Sequence, residues 1–191
     1  DDISLKSKIL HSSILINQGD KQEAIELLSS IANSADKETT KWMLMHGKIP
    51  NTIEQQDKFY KIHSTGDNGK IIFIICDAEK CELPVGVCSF NYNVGNRFIG
   101  RFEISLVIGN QKYQKANNYL DATIWQINHA FLELNANSIF AVTSEYNTVV
   151  QFTLKKIGFR EVGVLKDYSY EDGKYSDVIY FELLRKDWNK D

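Results

Sequence analysis

The spacing of apolar residues changes along the chain, and each change predicts a change of secondary structure. The N-terminal part carries apolar residues at helical spacing, with capping residues ahead of them. It predicts a strand at 13–17, a helix at 20–32 and a second helix beginning at Thr52. The next part has β-rich runs separated by turn material, which predict strands at 70–76, 85–92 and 102–108.

The C-terminal part returns to helical spacing and then alternates helices with strands. It predicts a helix at 120–134, a strand at 138–142, a short helix after Asn147, and closing strands at 161–165 and 178–184. The element order is then β-α-α-β-β-β-α-β-α-β-β, which is that of an α+β (mixed α/β) domain. Because no repeat or linker interrupts it, we expect residues 1–191 to form a single domain.

The segment 147–159 is the most informative part of this pattern. Val150, Leu154 and Ile157 fall on one face of its helix, and Gly158 follows where a helix end favours a residue that tolerates positive φ. Taken alone, the segment is compatible both with an ordinary strand-turn-helix-strand unit and with a helix whose leading Asn faces a ligand.

Composition and charge exclude several classes of function. The net charge of −3 argues against binding to nucleic acid, and no apolar run approaches the roughly 20 residues of a membrane span. The three cysteines are odd in number and lie in or beside apolar runs, which predicts free thiols in a reducing, cytoplasmic compartment. We expect no metal site, since no Cys or His spacing matches a ligand pair.

Four segments in a fixed order resemble one family. The 147–159 segment resembles the C-terminal signature of GCN5-related N-acetyltransferases (GNAT), and the element order resembles their fold. The segments 41–62 and 158–188 look like the branch of ribosomal-protein N-terminal and amino-sugar N-acetyltransferases. The resemblance implies a central, mostly antiparallel sheet flanked by helices. It also implies acetyl-CoA as cosubstrate and a primary amine as acceptor.

The chain departs from this family where the family binds the pyrophosphate of coenzyme A. The family carries Gln/Arg-x-x-Gly-x-Gly/Ala there, because small residues let backbone N–H groups approach the phosphates. The aligned residues here are Gln114, Lys115, Ala116, Asn117, Asn118 and Tyr119. Asn117 tolerates left-handed backbone, whereas the ring of Tyr119 either crowds the phosphates or packs sideways. We predict that acetyl-CoA binds despite both substitutions, and that Tyr119→Gly leaves binding unchanged or tightens it.

The resemblance also implies candidate residues for the reaction. Glu103 matches a Glu that this branch carries on its fourth strand, and we predict that it is the general base; the alternative is an ion pair with Arg97 or Arg101. The cofactor contacts carried over are Leu106, Val107, Ile108 and Asn147. Leu154 stands where the family has its general-acid Tyr. Either Tyr146, Tyr168 or Tyr170 substitutes, with Tyr146 the expected one, or the thiolate leaves without an acid. Trp42 and His46 are carried over to the acceptor pocket.

These residues favour an N-acetyltransferase and leave a second class of function open. The favoured acceptor is a nucleotide-linked amino sugar or another small amine, and a protein N-terminus comes next. We expect neither nucleic acid nor a membrane as a partner, and a homodimer is compatible with the sequence. The alternative is an acetyltransferase-like domain without turnover that serves as a binding or regulatory module, which the altered loop and Leu154 both favour.

Overall fold

A computed structural model of the protein describes residues 69–77, 84–92, 100–171 and 173–188, together with two helical positions, Glu54 and Lys58. The strand predicted at 13–17, the helix at 20–32, and the residues Trp42, His46, Cys81 and Arg97 lie outside the described part of the chain. The two helical positions agree with the helix expected after Thr52.

Among the described residues, six strands form one sheet, and a helix follows each of its third, fourth and sixth strands. In chain order the elements are β1 (Lys70–Cys76), β2 (Pro84–Asn91), β3 (Arg101–Ile108), a 3-10 turn (Gln111–Tyr113), α1 (Ala116–Leu132), β4 (Ser138–Ser144), α2 (Thr148–Ile157), β5 (Arg160–Glu171), β6 (Lys174–Leu184) and α3 (Arg185–Trp188). The strand order is β1-β2-β3-β4-β6-β5. Only β3 and β4 are parallel, which confirms the predicted α+β class with a mostly antiparallel sheet.

Helix α1 covers one face of the sheet with an aromatic cluster. Trp125 of α1 contacts Phe73 of β1 edge to face, with 5.1 Å between ring centroids, and Phe90 of β2 lies 5.8 Å from Phe73. Phe102 of β3 continues the cluster at 6.5 Å from Phe90. Because side chains alternate along a strand, burying Phe102 under α1 directs the neighbouring Glu103 to the opposite face.

Helix α2 begins and ends as its sequence predicts. The side chain of Asn147 accepts a hydrogen bond from the N–H of Val150, which satisfies a donor that the first turn would otherwise leave open. Gly158 adopts φ 114°, a conformation in which any side chain is strained, so the helix stops there. Leu154 is buried, and Val150 and Ile157 pack against the core.

Two elements extend farther than the sequence predicts. Helix α1 begins at Ala116, four residues before the expected start. The sequence pattern missed this first turn because its residues are mostly polar and exposed and so show no apolar spacing. The hairpin β5–β6 runs through the polar stretch between 165 and 178, with a register break between Leu165 and Ser169. Hydrogen bonds between the main chains hold this stretch together, and the spacing of apolar residues does not predict such pairing.

Candidate active site

A V-shaped gap opens between the two parallel strands. β3 and β4 pair only from Arg101–Ser138 to Glu103–Phe140, and both strands continue beyond the last pair without pairing to each other. The gap opens at their carboxyl ends, where helix α1 follows β3 and helix α2 follows β4. Ligands of α/β proteins bind outside the carboxyl ends of parallel strands, so the gap is the candidate site.

The backbone of β3 forms one wall of the gap. Antiparallel pairing alternates the direction of backbone groups along a strand, and the N–H of Gly109 donates to the carbonyl of Val85 in β2 at 3.0 Å. The alternation therefore directs the backbone of Val107 toward β2, and that of Leu106 and Ile108 toward the gap. Of the three cofactor contacts expected on this strand, Leu106 and Ile108 face the gap, and the carbonyl of Ile108 already accepts from the amide of Gln114 at 2.9 Å.

The loop after β3 is tied down by its own side chains. Asn110 accepts from the N–H of Lys112 at 3.1 Å, and the phenol of Tyr113 donates to a carboxylate oxygen of Asp77 just after β1. The amide of Asn118 donates to the carbonyl of Tyr113 at 2.8 Å, and that of Gln114 donates to the carbonyl of Ile108 at 2.9 Å. The side chains of Gln114 and Asn118 thus make bonds within the protein in this conformation.

Helix α1 points an open N-terminus toward the mouth of the gap. Its N-cap, Lys115, makes no side-chain capping bond, and its first turn contains no acidic residue. Lys115, Ala116 and Asn117 are exposed. The first backbone N–H groups and the lysine charge together suit an anion.

Tyr119, one turn into α1, reaches back to the end of β3. Burial raises the pKa of its phenol, and a hydrogen bond with the backbone of Ile108 acts in the opposite direction. The ring predicted either to crowd the phosphates or to pack sideways therefore lies against the β3 wall.

The other wall ends in a turn that places Tyr146 and Asn147 at the mouth of the gap. Gln151 of α2 donates to the carbonyls of Ser144 and Glu145 at 3.0 and 2.8 Å, which fixes the turn between β4 and α2. Tyr146 is 59% exposed there, so its phenol is accessible to a bound molecule. The side-chain oxygen of Asn147 is already engaged, because it accepts the hydrogen bond that caps α2.

Glu103 lies at the closed end of the V, in the last pair of the β3–β4 ladder. Burial raises the pKa of its carboxyl group, while a hydrogen bond from Asn91 and the charge of Lys70 lower it. Asn91 pairs with Glu103 across β2–β3 and with Lys70 across β1–β2, so all three lie in one row on one face. Arg101 instead binds Glu182 at 3.0 Å, so the alternative pairing of Glu103 with Arg101 is not formed.

The sequence did not reveal Tyr180, which the fold places beside this carboxylate. Tyr180 of β6 stacks on Phe140, the partner of Glu103, with ring centroids 6.4 Å apart and planes at 17°. Burial raises the pKa of its phenol, and Tyr168 and the charge of Glu103 raise it further. Its position follows from strand pairing alone, so no local motif marks it. Tyr170, by contrast, packs on Tyr175 in the β5–β6 hairpin.

Within the described residues, no group of three His, Cys, Asp or Glu side chains is placed to hold a metal ion. Cys76 and Cys88 are not joined in disulfides, and burial raises the pKa of the Cys88 thiol, which keeps it protonated. The helices of the described part are too short or too polar to cross a membrane.

Known proteins share both the sequence pattern and this architecture. Residues 19–160 match the family described as the acetyltransferase (GNAT) domain. The uncharacterized N-acetyltransferase p20 of Bacillus licheniformis is 26% identical over 154 residues, which cover 81% of this chain and 84% of that protein. YdaF of Bacillus subtilis (strain 168), whose name assigns it to the ribosomal N-acetyltransferases, is 32% identical over 62 residues, 32% of this chain and 34% of that protein.

Solved structures agree on the fold. The spermidine N-acetyltransferase of Vibrio cholerae in complex with CoA and spermine has a TM-score of 0.74 at 18% identity, covering 85% of this chain and 92% of that chain. A dodecameric structure of the enzyme has a TM-score of 0.72 at 16% identity, covering 90% and 94%. At these identities the likeness establishes the fold.

The fold and the open V between two parallel strands define a GNAT-type acyltransferase. The chain belongs to the acetyltransferase (GNAT) domain family and is an acetyl-CoA-dependent N-acetyltransferase. The described residues fit this cosubstrate at the backbone of Leu106 and at the open N-terminus of α1. At the end of β3 the amide of Gln114 occupies the carbonyl of Ile108, and Tyr119 lies beside it.

Proposed function

We propose that the protein transfers the acetyl group of acetyl-CoA to the primary amine of a small molecule, with Glu103 as general base. The observation that carries the proposal is the position of Glu103 at the closed end of the V, half-buried, where its carboxyl group is a stronger base than an exposed one. Lys70 and Asn91 favour its ionised form and orient it. The proposed cofactor contacts are Leu106, Ile108, Lys115, Ala116, Asn117 and Asn147.

The proposed reaction joins the amine nitrogen to the acetyl carbonyl carbon and breaks the carbon–sulfur bond. The thioester supplies the activated acetyl group. Glu103 accepts the proton that the amine loses, directly or through one water. Tyr146, accessible at the mouth of the gap, is the proposed donor of the proton that the departing thiolate takes up.

The acceptor class rests on charge and on the relatives. A net charge of −3 favours a cationic amine over a polyanion, and the solved enzyme of similar fold is described with spermine bound. These two observations support a small amine as acceptor. A nucleotide-linked amino sugar, which is itself anionic, is proposed on the resemblance of residues 41–62 to amino-sugar N-acetyltransferases, with Trp42 and His46 as proposed contacts. The short match to a protein named as a ribosomal N-acetyltransferase favours a protein N-terminus as the second candidate.

A thiol-release assay with a panel of acceptors tests the proposal. The panel contains a nucleotide-linked amino sugar, spermidine and a short peptide with a free N-terminus, each with acetyl-CoA in excess. We expect release with a small amine. Release with the peptide alone would favour the second candidate. Binding of acetyl-CoA in calorimetry without release for any amine would favour a module without turnover.

Self-association is part of the proposal. β5 forms one edge of the described sheet, and its side chains Val162 and Leu165 are 51% and 44% exposed. Phe152 of α2 is 68% exposed. Exposed apolar side chains on an edge strand favour contact with a second copy. Light scattering at micromolar concentration is expected to give at least twice the monomer mass of 21.9 kDa.

A further inference from the structure

A pair of serine hydroxyls lies on the β3 wall just beyond the candidate base. Ser105 of β3 and Ser89 of β2 are partners across the sheet, and their hydroxyl oxygens are 2.6 Å apart. Ser89 is buried, whereas Ser105 is exposed. Because side chains alternate along a strand, Ser105 lies on the same face as Glu103, two residues farther along β3. It therefore lies past the last pair of the β3–β4 ladder, where the gap is open.

Helix α1 holds the main chain of this serine pair from the opposite face of the sheet. Gln126, which is fully buried, donates through its amide to the carbonyls of Ser89 and Ser105 at 3.2 and 3.0 Å. The alternation set by the bond from Gly109 to Val85 makes the serines a hydrogen-bonded pair, so these carbonyls already have backbone partners. The amide is thus a third donor, and in the part of the chain that the structure describes its own oxygen has no partner. A buried oxygen without a partner lowers stability, so the fold bears a cost for fixing β3 at this point.

The hydroxyl of Ser105 can accept a hydrogen bond from the gap, whichever serine donates to the other. A serine oxygen has two lone pairs and one O–H. If Ser89 donates, Ser105 keeps one lone pair and its own O–H. If Ser105 donates, both of its lone pairs stay open. In either arrangement at least one lone pair is available to a group that carries an N–H.

We propose that Ser105 is a specificity-determining residue, whose hydroxyl accepts a hydrogen bond from the acceptor amine while Glu103 takes the amine proton. The inference rests on the proposed role of Glu103 as base. Residues two apart on a strand are separated by roughly 6–7 Å, so a nitrogen between the two side chains can contact both. A neutral primary amine has one N–H for each contact, which directs its lone pair away from both oxygens and toward the thioester. A hydroxyl or a secondary amine has a single hydrogen to offer, so the two contacts together favour a primary amine.

Steady-state kinetics test the contact with the primary amine of the acceptor panel that gives the fastest thiol release. Ser105→Ala removes the hydrogen-bond acceptor, so kcat/KM for the amine should fall about three- to tenfold, with the affinity for acetyl-CoA unchanged in calorimetry. Ser105→Thr keeps a hydroxyl on the same carbon and should restore most of the rate. The matched control is Ser176→Ala, which removes a hydroxyl from a cross-strand serine pair of the β5–β6 hairpin and should leave kcat/KM unchanged.

A double-mutant cycle with Ser89 distinguishes a contact with the amine from a general loosening of the sheet. Ser89→Ala frees the hydroxyl of Ser105 from its partner, so kcat/KM should fall about two- to threefold in wild type and stay constant in the Ser105→Ala background. Unchanged kcat/KM in Ser105→Ala overturns the inference, as does an equal loss of acetyl-CoA affinity. If wild type releases no thiol with any amine, the proposed function fails and the contact fails with it. If wild type is active and Ser105→Ala matches it, only the contact fails.

Discussion

Glu103 and Glu182 lie in one row across the sheet, on the same face, with Phe140 between them. Glu182 is neutralised by two arginines, with Arg101 at 3.0 Å and Arg160 at 2.6 Å on its two oxygens. Glu103 has the amide of Asn91 and the more distant charge of Lys70 instead, and burial raises the pKa of its carboxyl group. The two carboxylates thus occupy the same face of the same sheet, and they differ in the side chains that contact them.

The difference separates a structural carboxylate from a chemical one. A carboxylate whose two oxygens are each paired with a guanidinium group is engaged in holding the fold together and is not open to a reacting group. A carboxylate that is half-buried beside a gap, with a neutral donor and a pKa raised by burial, is a stronger proton acceptor than an exposed one. We therefore expect substitution of Glu103 to change the rate of reaction and substitution of Glu182 to change the stability of the fold.

Glu103→Gln is expected to give the largest effect. The amide keeps the shape and the contact with Asn91 but cannot accept the amine proton, so kcat should fall by about 10²- to 10⁴-fold with little change in acetyl-CoA affinity. The loss should shrink as the pH approaches the pKa of the acceptor amine, because more amine is then already deprotonated. Steady-state kinetics from neutral to alkaline pH measure both. Full activity at neutral pH would remove Glu103 from the mechanism and direct attention to Tyr146, Tyr168 and His46.

Glu182→Gln should lower stability and leave catalysis in place. It removes the charge that both arginines share, although their side chains are 56% and 63% exposed and therefore well screened. We expect a loss of about 1–2 kcal/mol in the free energy of unfolding. Urea denaturation measures it, and kcat of the folded fraction should match wild type. A large fall in kcat at unchanged stability would break the distinction between the two carboxylates.

Tyr180→Phe is expected to have a smaller effect, and to lower the rate of reaction rather than the stability of the fold. Its phenol lies near the charge of Glu103 and keeps its proton, so it can donate to the acceptor or to a water beside the base. Its removal should lower kcat about three- to tenfold, in keeping with one net hydrogen bond, with the melting temperature nearly unchanged. Tyr175→Phe serves as the control. A fall in melting temperature without a change in kcat would make Tyr180 a packing residue for Phe140.

The smallest effect concerns the stability of Glu103→Gln as a function of pH. An acid whose folded-state pKa is raised contributes stability that is fully present below its unfolded pKa and is lost as the pH rises through its folded pKa. Wild type therefore bears the burial cost of the charged group at neutral pH, and the variant does not. We expect the stability of wild type relative to Glu103→Gln to fall as the pH rises from acidic values, with the variant melting at the same temperature as wild type or slightly above it at pH 7. A clear loss of stability at pH 7 would place Glu103 with Glu182 as a structural carboxylate.

The elements of the described region were largely predictable, because their signals are local. The limits of α2 are an example: Asn147 caps its start and Gly158, at φ 114°, ends it. Both depend on a few consecutive residues, as does the apolar spacing between them. The extended β5–β6 hairpin was missed because its polar middle is held by main-chain pairing. The single domain over residues 1–191 and the roles of Trp42 and His46 stay predictions.

The sequence by itself determined the family, the order of elements and the candidate base, since each depends on residue types in a fixed order along the chain. Tertiary structure alone decided which groups meet. It paired Arg101 with Glu182 rather than Glu103 and set Tyr180 against Phe140. These contacts join residues that are distant in sequence, and only the register of the strands specifies them.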